Sequence, residues 1–213
     1  MTSRPSNKGD KVLAILGASG HGKVVADLAE QFGFTVIFYD DAYPNITKLE
    51  HWSINGTFSD LLGLAFKGIS AVVAIGNNSI REQKINILQL NGFELPILIH
   101  PTAVVSKYAR IAPGSVVFAN AVINSFSEIG KGCIVNTSAV IEHDCILGDF
   151  VHICPTTALA GSVRIGNNSW VGIGSQVKQA MTIGENTFIG AGSTVVKDLP
   201  SNATAFGSPA VII

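Results

Sequence analysis

The chain has 213 residues, of which 47% are hydrophobic and 14% charged, with 22 glycines and a formal net charge of -1. So many apolar and so few charged residues exclude disorder, the near-neutral balance leaves no field to steer a polyanion such as nucleic acid, and no apolar run reaches the roughly 20 residues of a spanning helix. Three widely spaced cysteines point to a reducing compartment.

Met1 to Asp10 is polar, with no apolar core of a signal peptide. It reads as a free N-terminus or the stub of a linker, and the chain as cytoplasmic. Lys11 to Leu16 then reads as a buried strand, followed by the glycine turn Gly17-Ala18-Ser19-Gly20-His21-Gly22 and an amphipathic helix from Lys23 to Gln31. A second strand, Phe34 to Tyr39, ends in Asp40-Asp41, and a third, Ile69 to Ile75, ends in Gly76-Asn77-Asn78. Alternating strands and helices predict a small parallel α/β domain that takes nucleotides at the carboxyl ends of its strands. Its glycine order is GxxGxG rather than GxGxxG, and Asp40 also lies near the distance that an NAD site requires. A glycine turn that opens a helix offers N–H groups to a phosphate, and the acidic pair suits the polar groups of a ribose or uracil.

From Ile99 every sixth residue is aliphatic: Ile99, Val105, Ile111, Val117, Ile123, Ile129, Val135, Ile141, Leu147, Ile153, Leu159, Ile165, Val171, Val177, Ile183, Ile189 and Val195. At a 47% hydrophobic frequency chance would produce such a run about three times in a million. Period six is neither the 3.6 of a helix nor the 2 of a strand, so each hexad must be a short strand plus a turn, and three hexads close a triangular coil. The aliphatic residue points inward, and four residues on the side chain is usually small, as at Ala121, Ser127, Cys133 and Cys145. Glycine often follows the aliphatic, as at Gly130, Gly148, Gly166 and Gly184, where it is expected to permit the backbone of the bend. Stacked coils make a solenoid core from β-branched residues.

His143-Asp144-Cys145 and His152-Ile153-Cys154 hold metal-ligand residue types. Counting from the aliphatic positions turns Cys145 inward and His143 outward, and puts His152 in a turn. The four cannot converge on one ion, so no metal is expected. His143 is the better candidate for chemistry, because it projects from aliphatic surroundings and is followed by a carboxylate that can orient its ring. Acyl transfer to an amine needs a base of near-neutral pKa, which histidine supplies.

GASGHG, the acidic pair, AIGNN and the hexapeptide repeats together resemble the sialic-acid O-acetyltransferase-like hexapeptide-repeat sugar acyltransferases. Within that family NTSAVIEHDCILGDFVHI looks most like the bacillosamine-pathway enzymes that acetylate UDP-4-amino sugars, and CPTTALAG echoes the GDP-perosamine N-acetyltransferases. The resemblance implies an α/β, Rossmann-like N-terminal domain over residues 11–97, a left-handed parallel β-helix over 98–200 and a tail over 201–213. It implies an acetyl-CoA-dependent N-acetyltransferase without other cofactor, serving bacterial glycan or glycoprotein synthesis. His143 would be general base, Asp144 its partner and the Gly161 N–H the oxyanion donor. Ser19, Gly20, His21, Asp40, Asp41 and Gly76 would bind the nucleotide-sugar, and Asn136, His152, Ile173 and Ala191 acetyl-CoA. It further implies a homotrimer with active sites between subunits, and relatives of the domain occur fused to membrane sugar-phosphate transferases. Sialic-acid O-acetylation, GDP-perosamine acetylation and a non-catalytic nucleotide-sensing scaffold are the competing readings. The end, Phe206-Gly207-Ser208-Pro209-Ala210, is similar to the family's G-x-P-A tail, but Val211-Ile212-Ile213 replaces the basic residue that often follows.

Overall fold

The computed structural model describes residues 11–213; the polar segment Met1 to Asp10 lies outside the described residues. The chain divides into two compact units, one running to Ala74 and including Leu88–Glu94, the other comprising Ile75–Ile87 and Leu95–Ile213.

The first unit is built on β1 (Lys11–Leu16), α1 (Gly20–Gln31), β2 (Phe34–Tyr39), a small hairpin of β3 (Lys48–Leu49) and β4 (Trp52–Ser53), α2 (Phe58–Leu62) and β5 (Ser70–Val73). The three long strands form a parallel sheet in the order β2-β1-β5. Leu13, Ile15, Val72 and Phe38 are buried in it, as a parallel sheet covered by helices requires. Helix α1 starts at Gly20, three residues before the expected Lys23, so Gly20, His21 and Gly22 form its first turn. The reason lies in Gly22: a β-carbon there would sit 2.3 Å from the carbonyl oxygen of Gly17 and 3.0 Å from the Phe38 ring, so only glycine lets the helix pack this closely on the strand it leaves.

The second unit opens with α3, which runs Asn78–Leu90 and contributes its residues to Ile87 here, and continues as a parallel solenoid. Each of the seventeen aliphatic positions is the second residue of a two-residue strand, from Leu98–Ile99 to Thr194–Val195. Strands pair in parallel with those eighteen residues away, as Val104 with Val122 and Val122 with Val140, so three hexads make one coil and three sheets make the faces. The aliphatic side chains from Val117 to Val195 are all buried, whereas Ile99, Val105 and Ile111 are half-buried because the first coil closes the end of the prism.

The small residues also face inward and carry a second task. The Ser127 hydroxyl donates to the carbonyl of Glu142 (2.6 Å) and accepts from the N–H of Cys145 (3.2 Å). Ser115, Ser169 and Ser175 repeat the pattern at other bends of the solenoid. Buried backbone groups at the bends are thereby paired by a side chain too short to disturb the core.

The glycines that follow the aliphatic residues have a different cause from the one expected. Their backbone is not left-handed; instead a β-carbon on Gly148 would meet the Asn167 amide oxygen at 2.3 Å, and one on Gly166 the Glu185 nitrogen at 2.4 Å. They are places where coils touch. The left-handed conformation falls two residues later, at every sixth position from Gly114 to Gly192, and ten of these fourteen residues are not glycine. The tail strand Thr204–Phe206 continues one face in parallel, and Val211–Ile212 folds back antiparallel on it. No helix among the described residues is long and apolar enough to cross a membrane.

Candidate active site

On the solenoid, Lys107, Ser125, His143, Gly161 and Gln179 stand eighteen residues apart at one corner, with Tyr108, Phe126, Asp144, Ser162 and Ala180 beside them. The Asp144 carboxylate accepts from His143 Nδ1 at 2.8 Å, with the two side chains 60% and 56% exposed. Asp144 takes the left-handed turn position (φ 61°), a conformation that aspartate tolerates better than most residues and that swings its carboxylate back onto its neighbour's ring. Position Nδ1 being held by the carboxylate, Nε2 is the nitrogen left to exchange a proton with a substrate.

That nitrogen lies over the next coil. A β-carbon on Gly161 would sit 2.6 Å from both Nε2 and Cε1, so glycine is what makes room for the ring. The Gly161 carbonyl accepts from Ala180 N–H, but its own N–H donates to no protein group among the described residues. The corner thus brings together a carboxylate-oriented imidazole and an unspent backbone donor. Tyr108 and Phe126, exposed and stacked at 5.2 Å, lie on the same corner in the preceding coils.

Ile173 and Ala191 occupy the corner that precedes the face whose strands include Val140–Ile141, Ala158–Leu159 and Gln176–Val177, and the His143 corner follows that face. Both are exposed. The face between them carries a depression of about 470 Å³ lined by residues that include Glu142, Ala160 and Lys178. His152 is not in a turn. It forms the strand His152–Ile153 and is 5% exposed, because the residue before each inward aliphatic is itself a strand residue and here is covered by the Trp170 ring (4.2 Å) and by Asn136, whose amide nitrogen is 3.1 Å from His152 Nε2. The predicted Asn136 and His152 are therefore in contact.

The cysteines are unsuited to nucleophilic work. All three are buried, and burial pushes the thiols of Cys133 and Cys154 up to about 12 and that of Cys145 upward, although the Arg81 charge and backbone N–H groups act against the rise at Cys133. Among the described residues no three His, Cys, Asp or Glu side chains gather as metal ligands would.

In the first unit Ser19 is the N-cap of α1, with Gly20 and His21 in the first turn. The Asp40 carboxylate receives the N–H of Ala18 (2.7 Å) and that of Ala42 (2.9 Å), so it shapes the glycine turn as well as facing its end. Asp41 receives the N–H of Phe58 at 2.9 Å. Gly76 belongs to the second unit, in the turn before α3, with open space where a β-carbon would be. There it lines a cavity of about 550 Å³ with Asn77, Asn78, Asn168, Trp170 and Phe188 among its walls. This cavity was not foreseen from sequence; its one signal was aromatic residues recurring at eighteen, Trp170, Phe188 and Phe206.

The PglD N-terminal domain profile matches residues 12–88, and the bacterial transferase hexapeptide profile residues 162–197. The acetyltransferase domain of PglB from Neisseria gonorrhoeae, solved in complex with acetyl coenzyme A, is 42% identical and superposes with a TM-score of 0.92 over 96% of this chain and 100% of that one. The chain belongs to the hexapeptide-repeat sugar N-acetyltransferase family. Its solenoid is accordingly the left-handed parallel β-helix of that family, and the chain is an acyltransferase. A second family member, a histidine-to-asparagine mutant of perosamine N-acetyltransferase from Caulobacter crescentus in complex with CoA and GDP-perosamine, is 38% identical, with a TM-score of 0.91 over 97% of this chain and 98% of that one. UDP-N-acetylbacillosamine N-acetyltransferase of Bacillus subtilis is 37% identical over 113 residues, 51% of this chain, and the match spans about half, 52%, of that protein's length.

Proposed function

We propose that the chain transfers the acetyl group of acetyl-CoA to the 4-amino group of a UDP-4-amino-4,6-dideoxy sugar. The observation that carries this reading is the His143–Asp144 pair seated over Gly161, at a corner flanking the face that Ile173 and Ala191 flank from the other side. The kinship with a bacillosamine N-acetyltransferase and with a domain that binds acetyl coenzyme A supports it.

The chemistry follows from the groups present. The sugar amine attacks the thioester carbonyl directly, forming the C–N bond of a tetrahedral intermediate. The imidazole takes the amine proton on Nε2, and Asp144 stabilises the imidazolium through Nδ1–H. The oxygen of the former carbonyl gains the charge and meets the outward N–H of Gly161, an interaction commonly worth about 3 kcal/mol. Collapse breaks the C–S bond, and the proton held by His143 returns to the departing CoA thiolate. The high-pKa thiols take no part, so no acyl-enzyme forms. Asn136, His152, Ile173 and Ala191 serve the coenzyme, and Ser19, Gly20, His21, Asp40, Asp41 and Gly76 the nucleotide-sugar. The working unit is a homotrimer in the cytoplasm.

The second reading, acetylation of GDP-perosamine, is favoured by the Caulobacter complex, which is matched over nearly the whole chain. Thiol release from acetyl-CoA, measured against UDP- and GDP-linked 4-amino sugars and free sialic acid, separates them. Turnover on sialic acid with none on an amino sugar would overturn the proposal. Light scattering tests the trimer.

A further inference from the structure

Arg81 on α3 is 1% exposed, yet no carboxylate accepts from it. Its five N–H donors meet five neutral oxygens: Nε–H donates to the Gly132 carbonyl (2.8 Å), one terminal nitrogen to the carbonyls of Ile75 (3.1 Å) and Gly76 (3.0 Å), and the other to the Asn78 amide oxygen (2.8 Å) and the Phe150 carbonyl (2.7 Å). Two of these acceptors, Gly132 and Phe150, are left-handed corner residues of successive coils. Three belong to the turn Ile75-Gly76-Asn77-Asn78. The guanidinium therefore fixes that turn to the rigid solenoid by its fork of donors.

A planar trans peptide points its N–H opposite to its C=O. With the carbonyls of Ile75 and Gly76 both drawn onto Arg81, the N–H groups of Gly76 and Asn77 face away from it, and neither donates to a protein acceptor among the described residues. Both residues line the 550 Å³ cavity. Behind the turn sits a buried positive charge whose bonded acceptors are all neutral. An outward pair of backbone donors backed by such a charge suits an anion.

We propose that Arg81 is a positioning residue that presents the Gly76 and Asn77 N–H groups to the diphosphate of the nucleotide-sugar. This rests on the functional reading above, and goes beyond it in assigning the diphosphate to this turn and its shape to a side chain that does not touch the ligand. Lysine cannot reproduce the fork, so Arg81→Lys is the informative variant. Its test is calorimetric binding of UDP, GDP, uridine and guanosine to wild type and variant, beside the KM for acetyl-CoA and thermal unfolding. For the diphosphate that wild type prefers, Kd is expected to rise about tenfold or more, the effect of losing one charge-assisted contact. The Kd of the matching nucleoside and the KM for acetyl-CoA are expected to stay within about twofold, which a general loosening of the fold would not produce. Should Arg81→Lys not fold, Asn78→Ala, which keeps the guanidinium but frees one end of the turn, is expected to show the same selective rise at about threefold. Equal changes for diphosphate and nucleoside, or none, overturn the inference, as does a wild type that binds neither diphosphate. A wild type that binds a diphosphate with this pattern but acetylates no nucleotide-amino sugar would instead overturn the functional reading alone.

Discussion

The imidazole of His143 occupies the space where a side chain on Gly161 would begin: Nε2 and Cε1 lie 2.6 Å from the position of a β-carbon there, and Nδ1 3.2 Å. One residue thus sets the ring's resting place and offers the N–H that would meet the oxyanion. Gly161→Ala must push the ring by more than half an ångström while leaving the buried positions of the coil untouched. Displacement on this scale costs on the order of 100-fold in rate, so kcat for amino-sugar acetylation is expected to fall by that order with little change in thermal unfolding. Retention of wild-type kcat would show that the ring's place is not critical.

Asp144 separates orientation from basicity. Asparagine is nearly the same shape, and it also tolerates the left-handed backbone that Asp144 adopts at φ 61°. Asp144→Asn should keep the fold but lose the charge that stabilises the imidazolium, lowering kcat by about 10- to 100-fold, less than the roughly 100- to 10,000-fold expected of His143→Ala. Steady-state rates for the two variants test the order of the effects. If Asp144→Asn were as active as wild type, the 2.8 Å contact would be incidental.

The thiols give a pH prediction. Unfolded cysteine ionises near 9, whereas Cys133 and Cys154 are pushed up to about 12 by burial. Above pH 9 the unfolded chain has released protons that the native state still holds, so stability falls as pH rises, and the loss runs on toward pH 12. Arg81, whose pKa is lowered to about 10, opposes this increasingly as pH approaches and passes 10, because the native state then sheds a proton that the unfolded chain keeps. Below pH 10 two thiols outweigh one guanidinium, so denaturant unfolding between pH 9 and pH 10 should show a net decline. Native protein should leave all three thiols unreacted with a disulfide reagent at pH 8, and denatured protein should expose three.

The repeating core was legible from the sequence because every inward position obeys one period, and a single slip would have exposed a whole face. His143 was legible for the same reason, as a titratable group at an outward position. His152 was misplaced because the residue before each aliphatic was counted with the turn, when it begins the strand; what buries it is Trp170, eighteen residues on and invisible to a local window. Arg81 was out of reach altogether. On a helix of mixed polarity an arginine reads as a solvated side chain, and its five partners lie up to 69 residues away.

Ser127 tests whether the small inward residues do more than fit. Its hydroxyl, on a residue 0% exposed, bonds both the carbonyl of half-buried Glu142 and the N–H of fully buried Cys145 across the bend. Ser127→Ala leaves the buried Cys145 N–H without an acceptor and the half-buried Glu142 carbonyl without this donor, at a cost of about 1–3 kcal/mol. In a chain of this size that corresponds to a fall in Tm of roughly 2–10 °C.

Ala180 offers a prediction of unusual sign. Glycine normally destabilises a regular element by about 0.5–1 kcal/mol relative to alanine. Ala180, however, is exposed and held at φ 58°, where an L-residue pays about 1–2 kcal/mol that glycine does not. Its N–H donates to the Gly161 carbonyl at 2.9 Å, a bond that glycine retains. The strain relieved exceeds the added entropy of the unfolded chain, so Ala180→Gly should raise stability by about 0.5–1 kcal/mol in denaturant unfolding. The same substitution at Ala121, which is fully buried and outside the left-handed set, should lower it by emptying core space. Opposite signs at two alanines of one solenoid would follow from backbone conformation and burial alone, and equal signs would refute the reading that corner conformation carries the strain.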